Sequence, residues 1–313
     1  MQQYVLRRLL MLIPVMLIVT TVTFVVMRML PGDLAQRMLG EYATPESVEQ
    51  LRGQLGLDRP LVVQYGEWLG GLVRGDLGES KANNMPVAEL LWAKLPVTLE
   101  LTFLAVTISL LVAIPIAIVS ARRPDGLLDY AGRMISIGGI ALPSFWIGTL
   151  AVMIPSKLWN YSPPSYVSIF EKPLQNLELM IPASLILGFA LSASLMRVAR
   201  TTLMEVLRAD YVRTAKSKGL RDAVIIYRHA LKNALIPVIT LCGLQLAALL
   251  GGTVIIEQIY SLPGIGRVVI SAINGRDYAV VQGVVVMMAF IYVTINLLID
   301  LSYALIDPRI RYR

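Results

Sequence analysis

Histidine and cysteine, two side chains that commonly carry out enzymatic chemistry, are scarce in this sequence of 313 residues. It has one histidine, His229, and one cysteine, Cys242, which is too few for a His/Cys metal cluster or an intrachain disulfide. It contains no G-x-S-x-G nucleophile elbow, no H-E-x-x-H pair and no G-x-x-x-x-G-K-[ST] phosphate loop. We therefore predict that the chain is not an enzyme, has no catalytic residue, metal site or cofactor of its own, and does not hydrolyse ATP.

Polar side chains inside long apolar runs are the remaining candidates for a functional role. Gln245 and Asn296 are the better candidates for lining a water-filled path, and Ser192 is a further one; the alternative is that such groups bond their own helix backbone or pack at helix contacts. An ion-coupled carrier usually buries an ionisable residue at mid-membrane, and the centres of these runs have none. Glu257 and Asp300 stand at helix ends, and we interpret each as an interfacial residue paired with a neighbour. A secondary transporter is therefore disfavoured.

Those polar residues lie in a chain that is 56% hydrophobic and only 16% charged, whereas a soluble domain carries about 25% charged residues. About 20 apolar residues are needed for a helix to cross the hydrocarbon core of a bilayer. We predict an all-α membrane protein of six transmembrane helices, the first of which is retained rather than cleaved as a signal peptide. The uncharged runs are Leu9–Met27, Leu101–Ala121, Met134–Ser156, Met180–Met196, Asn233–Ile256 and Tyr278–Ile299. Leu177 and Leu179 extend the short fourth run past Glu178, and Pro115, Pro143 and Pro155 should kink their helices.

The distribution of positive charge predicts the orientation of the helices. Residues 197–232 contain nine Lys or Arg and three acids, a net charge of +6, whereas residues 31–96 contain six and nine, a net charge of −3. Since Lys and Arg are enriched in cytoplasmic loops, the 197–232 loop and both termini should be cytoplasmic, and residues 31–96 extracytoplasmic. The excess of Lys and Arg is thus explained by the topology of the loops and does not indicate nucleic-acid binding. The predicted layout is an N-terminal helix at 1–30, an extracytoplasmic region at 31–96, a core of five helices at 97–306 and a cytoplasmic tail at 307–313.

The extracytoplasmic region 31–96 has local signals of its own. Thr44 followed by Pro45 predicts a helix start with Thr44 as the N-cap, and Gly53 and Gly56 should limit that helix. Four later glycines predict turns: Gly70, Gly71, Gly75 and Gly78.

The basic loop 197–232 contains the sequence DYVRTAKSKGL at 210–220. We predict a short helix with Asp210 as its N-cap, Val212 and Ala215 facing a groove on a partner, and Gly219 in the left-handed conformation that ends a helix. Arg213, Lys216 and Lys218 would then lie at the rim of that groove. A second helical stretch from Asp222 to Lys232 should lead into the fifth span. The alternative is a solvated basic loop that only satisfies the charge rule.

This loop resembles the cytoplasmic loop of ABC importer permeases, whose general pattern begins E-A-A-x-x-x-G. Arg213 and Thr214 stand where Glu and Ala are usual, and His229 and Lys232 replace a usual Ile and Pro. The loop is closer to the dipeptide/oligopeptide/nickel permeases, which read roughly D-Y-[IV]-R-T-A-[RK]-x-K-G-L and then R-H-x-[LF]-[KR]-N. Other stretches typical of that family follow in order along nearly the whole chain: LPGD at 30–33, LGLDRP at 55–60, GDLG at 75–78, LPVTLEL at 95–101, LPSFW at 142–146, SLPGIGR at 261–267, RDY at 276–278 and DPRIR at 307–311.

The resemblance implies a type I importer fold in the cytoplasmic (inner) membrane of a bacterium or archaeon. The implied partners are membrane lipid, a second homologous permease, an extracytoplasmic substrate-binding protein and two ATPase subunits that bind ATP and Mg. The cargo would be dipeptides or oligopeptides; the same architecture could instead import nickel, glutathione or oligosaccharides. Pro263, Gly264, Gly266 and Arg267 would form a gate or a contact with the binding protein, or only a turn that orients the last two helices. The residues implied in coupling to the ATPases are Asp210, Tyr211, Val212, Arg213, Thr214, Ala215, Lys216, Ser217, Lys218, Gly219, Leu220, His229, Lys232 and Asn233.

Overall fold

A computed structural model describes residues 2–29, 34–40, 43–54, 56–80 and 82–306. The motifs at 30–33 and 307–311, and Leu55 of a third motif, lie outside these ranges. Helices dominate the described residues, with one antiparallel pair of two-residue strands, β1 (Glu79–Ser80) and β2 (Met85–Pro86). The helices are α1 (Gln2–Met29), α2 (Leu34–Leu39), α3 (Pro45–Gln54), α4 (Leu61–Val73), α5 (Val87–Arg122), α6 (Leu127–Ala141), α7 (Ser144–Trp159), α8 (Pro173–Leu207), α9 (Asp210–Ser217), α10 (Asp222–Val224), α11 (Leu231–Ile259), α12 (Ile265–Asn274) and α13 (Tyr278–Ile306).

Five helical stretches in the described part of the chain are long and apolar enough to cross a membrane, and a bent pair of helices makes a sixth. The five are Leu10–Met29, Val87–Arg122, Pro173–Leu207, Asp222–Ile259 and Tyr278–Ile299. The prediction of a polytopic all-α protein is thereby confirmed. The short fourth run is part of α8, which has 35 residues and includes Leu177 and Leu179 as predicted.

The third predicted span, Met134–Ser156, is not one continuous helix. The chain leaves the helix after Ala141 and begins a new one at Ser144, and the two pieces meet at 89°. Leu142 is extended, with φ −91° and ψ 121°, and Pro143 is the N-cap of α7. A proline disfavours helical conformation in the residue before it and lacks a backbone N–H, so Leu142-Pro143 breaks the helix instead of only kinking it.

The chain forms two compact units. The first contains Met1–Pro96 and Pro263–Leu297, and the second contains Val97–Leu262 and Leu298–Arg313. In the first unit, Val87, Leu91, Ile265 and Val280 belong to the main buried cluster. In the second, the largest cluster includes Leu101, Leu179, Met180 and Ile256, at contacts among α5, α8 and α11. The domain limits predicted from the sequence remain predictions.

Close helix approach in the second unit depends on Gly188 in α8. A Cβ at this position would lie 2.7 Å from the carbonyl oxygen of Ala105 in α5 and 3.0 Å from Ile108. No side chain fits there without displacing backbone, so Gly188 allows these two helices to pack tightly, as small residues do in membrane helices.

The small elements of region 31–96 agree with their sequence signals in part. Thr44 caps α3 as predicted, since its Oγ1 accepts a hydrogen bond from the Ser47 backbone N–H at 3.2 Å. Gly70 and Gly71, predicted as turns, instead lie inside α4, which continues to Val73. This helix packs on α1, where the Tyr65 hydroxyl is 2.8 Å from Thr21 Oγ1 and the Tyr65 ring is 5.3 Å from that of Phe24. Packing of this kind overrides the weak helix propensity of glycine.

Candidate functional site

The helix predicted for docking, α9, runs from Asp210 to Ser217. Its N-cap is Ala209, whose backbone is extended, and no side chain caps the helix. The prediction of Asp210 as N-cap is therefore wrong: Asp210 is the first helical residue, where its carboxylate faces the positive end of the helix dipole. Its side chain is almost fully exposed and lies 3.7 Å from Arg213, an exposed ion pair that contributes little stability.

The apolar side of α9 faces the chain itself. Val212 is 0% exposed and Ala215 is 7% exposed, and both pack against Ile225, with Leu207 alongside. The prediction that Val212 and Ala215 face a groove on a partner is wrong, because the stretch that follows α9 folds back and covers them. A short amphipathic helix buries its apolar face on the nearest apolar surface, which the sequence pattern alone does not identify.

The opposite side of α9 is open to a partner. Eight residues on this side and at the end of the helix are exposed: Tyr211, Arg213, Thr214, Lys216, Ser217, Lys218, Gly219 and Leu220. With Arg213, Lys216 and Lys218 among them and Asp210 as the one exposed acid of α9, the exposed surface has a net positive charge. An acidic or polar surface on a partner would complement it.

Gly219 ends α9 in the predicted way. Its φ is +72°, in the left-handed region. Its N–H donates to the Lys216 carbonyl at 2.9 Å, and the N–H of Leu220 donates to the Ala215 carbonyl at 3.3 Å. A glycine adopts this conformation without the steric cost that a Cβ would add, so the left-handed end predicted from the sequence is confirmed.

The helical stretch after α9 is also confirmed, with an added irregularity. Helix α10 continues through a π-helical segment, Ile225–Ala230, into α11. The Tyr211 hydroxyl accepts a hydrogen bond from Asn233 Nδ2 at 3.0 Å and is 3.5 Å from the His229 carbonyl. Tyr211, His229 and Asn233, distant in sequence, are thus brought together, and they attach α9 to the first turn of α11. Lys232 is exposed beside them.

The three pathway candidates differ in their hydrogen bonding. Ser192 Oγ donates to the Phe189 carbonyl at 2.7 Å, and Asn296 Nδ2 donates to the Tyr292 carbonyl at 3.0 Å, which are the own-helix bonds of the alternative interpretation. Gln245 Oε1 is buried and has no hydrogen-bond partner among the described residues. Ser192 and Gln245 belong to the second unit and Asn296 to the first, so the structure does not bring the three together in one unit.

The four gate candidates lie at the start of α12. Gly264 is the N-cap, and Gly266 is buried inside the helix rather than in a turn. Pro263, Gly264 and Arg267 line a cavity of about 280 Å³ in the first unit. Lys94, Ser271 and Asp277 also line it, and Asp277 Oδ2 accepts hydrogen bonds from Ser80 Oγ at 2.7 Å and from the Ala82 N–H at 3.2 Å.

Glu257, interpreted from the sequence as a paired residue at a helix end, is fully buried near the end of α11. Its Oε1 accepts a hydrogen bond from Thr98 Oγ1 at 2.7 Å. Also in the second unit, the Tyr166 hydroxyl donates to Glu100 Oε2 at 3.3 Å. Burial, followed by the nearby Glu100 carboxylate, raises the pKa of Tyr166 to about 12. The side chain of Asp300 lies outside the described residues.

An ionic cluster around Asp129 in α6 was not predicted from the sequence. Asp129 is 0% exposed, and Arg200 in α8 binds it through two hydrogen bonds of 2.6 and 2.7 Å. Arg133 also contacts Asp129 and binds Asp125 at 2.8 Å. The available signal was an acid placed four residues before Arg133 on the same helix. Its other partner, Arg200, is too distant in sequence to be inferred.

The comparisons with known proteins agree with this architecture. Residues 113–312 match the family model "Binding-protein-dependent transport system inner membrane component", and residues 1–102 match the model of its N-terminal membrane region. The chain belongs to this family. It is therefore a multi-pass permease of the inner membrane and not itself an enzyme, as predicted.

Full-length relatives support the same assignment. The permease is 42% identical to a putative peptide transport system permease of Brucella abortus, over 98% of each chain. It is 40% identical to the dipeptide transport permease DppB of Alkalihalophilus pseudofirmus, over 99% of each, and 37% identical to DppB of Escherichia coli, over 100% of each.

Solved structures resemble the permease in fold. A crystal structure of an amino acid ABC transporter aligns with a TM-score of 0.54 at 17% identity, over 68% of this chain and 92% of the other. An inward-facing methionine ABC transporter aligns with a TM-score of 0.54 at 15% identity, over 70% and 96%. The predicted ABC importer fold is confirmed. As a member of its family, the permease is one component of a larger binding-protein-dependent transport system.

Proposed function

We propose that this permease forms half of the translocation pathway of an ATP-driven importer of dipeptides and oligopeptides. The proposed assembly contains a second homologous permease, two ATPase subunits that bind ATP and Mg, and an extracytoplasmic substrate-binding protein. Relatives named as peptide or dipeptide permeases, at 37–42% identity over the full chain, support the cargo. The scaffold motifs do not report cargo, so nickel, glutathione and oligosaccharides remain the alternatives.

The observation that carries this proposal is the arrangement of α9. It is a short helix outside the spans, with a basic exposed side and an apolar side buried on its own chain. Because α9 already packs on its own chain, it presents a defined surface and does not need the partner in order to fold. We assign the contact with the ATPase cleft to Tyr211, Arg213, Lys216 and Lys218, not to Val212 and Ala215.

The attachment of α9 to α11 supports a lever mechanism. The hydrogen bond between Tyr211 and Asn233 and the packing on Ile225 both join α9 to the stretch that begins α11. Helix α11 has 29 residues, about 43 Å at 1.5 Å per residue. Movement of α9 with an ATPase would therefore be passed along a helix long enough to cross the membrane, which suits switching between outward-facing and inward-facing states.

For the pathway itself, Gln245 in α11 is the strongest of the three candidates. A buried amide oxygen with no partner among the described residues is costly unless water or cargo satisfies it. Ser192 and Asn296 are weaker candidates because their own backbones satisfy them. We place Pro263, Gly264, Gly266 and Arg267 at the extracytoplasmic entrance, where the cavity beside α12 would meet the binding protein.

Charge reversal at Arg213 tests the docking role. The complete transporter would be reconstituted in proteoliposomes and compared with an Arg213→Glu variant, and with Arg123→Glu as an exposed control of equal charge change. We expect Arg213→Glu to lower both transport and cargo-stimulated ATP hydrolysis about tenfold, because a reversed charge at a docking surface repels the partner. Arg123→Glu, at an exposed position away from α9, should leave both near wild type. Unchanged coupled ATPase activity in Arg213→Glu vesicles, with normal membrane insertion, would contradict the docking assignment. Gly219→Pro should give the same loss as Arg213→Glu.

Cargo is tested in the same vesicles, without changing the permease. Uptake of a radiolabelled dipeptide in the presence of ATP and the binding protein should exceed uptake of nickel, glutathione or an oligosaccharide. If one of those cargoes were taken up in an ATP-dependent manner and the dipeptide were not, the proposed permease function would stand and the proposed cargo would be wrong.

A further inference from the structure

A cavity of about 380 Å³ lies between α6 and α8 in the second unit. It is lined by Arg133, Ser136, Ile137, Met196, Arg197 and Arg200. None of these residues was assigned a role in docking, in the pathway or at the entrance. The cavity thus combines three guanidinium groups with apolar side chains.

The cavity lies at the boundary between apolar and basic sequence on both helices. Arg133 immediately precedes the uncharged run that starts at Met134, and Arg197 immediately follows the run that ends at Met196. Ile137 and Met196 belong to those runs. Both boundaries face the basic loops that the charge rule predicts to be cytoplasmic. The same rule therefore predicts that the cavity lies where the hydrocarbon core gives way to the headgroups of the cytoplasmic leaflet.

The cavity carries an excess of positive charge. Arg200 is neutralised by Asp129, and Arg133 is shared between Asp129 and Asp125. Arg197 has no ion-pair partner within the described ranges, so three arginines face two aspartates. Arg133 Nε is in addition buried without a hydrogen-bond acceptor among the described residues. Donors for an anion therefore remain after the internal ion pairs have formed.

We propose that this cavity binds the phosphate of an anionic phospholipid from the cytoplasmic leaflet. The planar guanidinium of Arg197 suits phosphate oxygens, and the cavity wall at Ile137 and Met196 suits the start of an acyl chain. Basic pockets between membrane helices on the cytoplasmic side bind anionic headgroups in this way. A free phosphate ion would leave the apolar wall without a counterpart, and the amino group of a peptide would be repelled by the arginines.

Lipid retention by the purified transporter tests this proposal independently of transport. The complete transporter would be exchanged into micelles containing equal parts of phosphatidylglycerol and phosphatidylcholine, and bound lipid would be counted by native mass spectrometry. We expect selective retention of phosphatidylglycerol, lowered about fivefold in Arg197→Gln. Arg197→Lys should restore it only in part, because lysine keeps the charge but not the planar guanidinium. Arg123→Gln removes the same charge from an exposed residue outside the cavity and should retain lipid as the wild type does.

Several outcomes would overturn the proposal. Equal retention of phosphatidylglycerol by wild type and Arg197→Gln, at unchanged melting temperature, would exclude the cavity as the site. Equal retention of phosphatidylcholine would show that no anion is recognised. Displacement of phosphatidylglycerol by inorganic phosphate would indicate a free-anion site, and displacement by a dipeptide would assign the cavity to the cargo pathway.

Discussion

Two short helices outside the predicted spans, α9 and α12, are attached to their units in different ways. Helix α12 buries Ile265, Gly266 and Ala272, and Ile265 and Ala272 belong to the main buried cluster of the first unit. Helix α9 buries only Val212 and Ala215, in a cluster of three buried residues that Ile225 completes. A large apolar cluster thus holds α12 in place, whereas α9 depends on a small apolar cluster and on the hydrogen bond that Asn233 donates to Tyr211.

This difference fits the roles proposed for the two helices. A helix that transmits movement must remain attached to the lever behind it while a partner binds its outer side. The small buried cluster and the hydrogen bond keep α9 joined to the stretch that begins α11, and they leave its outer side free for the partner. A helix at an entrance must instead be held in place by the buried core of its own unit. The two attachments should therefore differ in how strongly they resist substitution.

Truncation of Ile265 to alanine in α12 should have the largest effect. Ile265 is 0% exposed in the main cluster of its unit, so the change should lower the free energy of unfolding by about 3 kcal/mol. Thermal unfolding of the purified permease in detergent measures this loss. Ile273→Ala on the same helix is the matched control, since Ile273 is 55% exposed and should change stability by less than about 0.5 kcal/mol. Equal losses for the two variants would show that α12 is not anchored through Ile265.

Truncation of Val212 to alanine in α9 should have an intermediate effect. It should lower the free energy of unfolding of α9 by about 1.5 kcal/mol, because the buried cluster to which Val212 belongs is small. The loss should be local, seen as faster amide hydrogen exchange across residues 212–219 with little change in melting temperature. Val224→Ala, at a 37% exposed position in the next helical stretch, is the control. Global destabilisation as large as that of Ile265→Ala would refute the view that α9 is lightly attached.

Replacement of Gly219 by alanine should lower the stability of the end of α9 by about 1 kcal/mol, solely because alanine is strained in the left-handed backbone conformation. Its φ is +72°, and no atom lies within 4 Å of the position that a Cβ would occupy. Gly66→Ala in α4 is the contrasting control, because that position is helical and equally open, so alanine should be neutral or stabilising there. Amide exchange at the end of α9 reports the first change, and melting temperature the second. A neutral Gly219→Ala would mean that the left-handed end is not needed.

Removal of the Tyr211 hydroxyl should have the smallest effect on stability, about 0.5–1 kcal/mol for one exposed hydrogen bond. Tyr211→Phe should nevertheless raise the ATP hydrolysed per peptide transported, because α9 would follow α11 less closely. Asn233→Ala should give the same change, and the double variant should add little to either. Additive effects would show that the two side chains act separately.

Several elements were predictable from the sequence because their signals are local. The five continuous spans, the Thr44 cap, and the left-handed Gly219 each depend on neighbouring residues in the chain. The elements that were predicted wrongly depend on tertiary contacts, or on local signals that fit two conformations about equally well. Gly70 and Gly71 are helical because α4 packs on α1, and Leu142-Pro143 divides a run whose apolar composition is continuous.

The candidate site divides in the same manner. The motif at 210–220 predicts the position, length and end of α9, but Asp210 proved to be the first helical residue rather than the cap. A serine, threonine or aspartate near a helix start satisfies either pattern, so one residue of displacement leaves no sequence signal. The cluster of Asp129 with Arg200 had no signal at all beyond its local partner.

The sequence by itself determined that this protein crosses the membrane several times, which loops are basic, and which family it belongs to. These properties follow from composition, charge and ordered short motifs, and none requires knowledge of distant contacts. Only the tertiary structure decided which side of α9 is available to a partner, since burial of Val212 and Ala215 depends on Ile225 folding back over them. It likewise brought Arg133, Arg197 and Arg200 to one cavity, because two helices distant in sequence pack side by side.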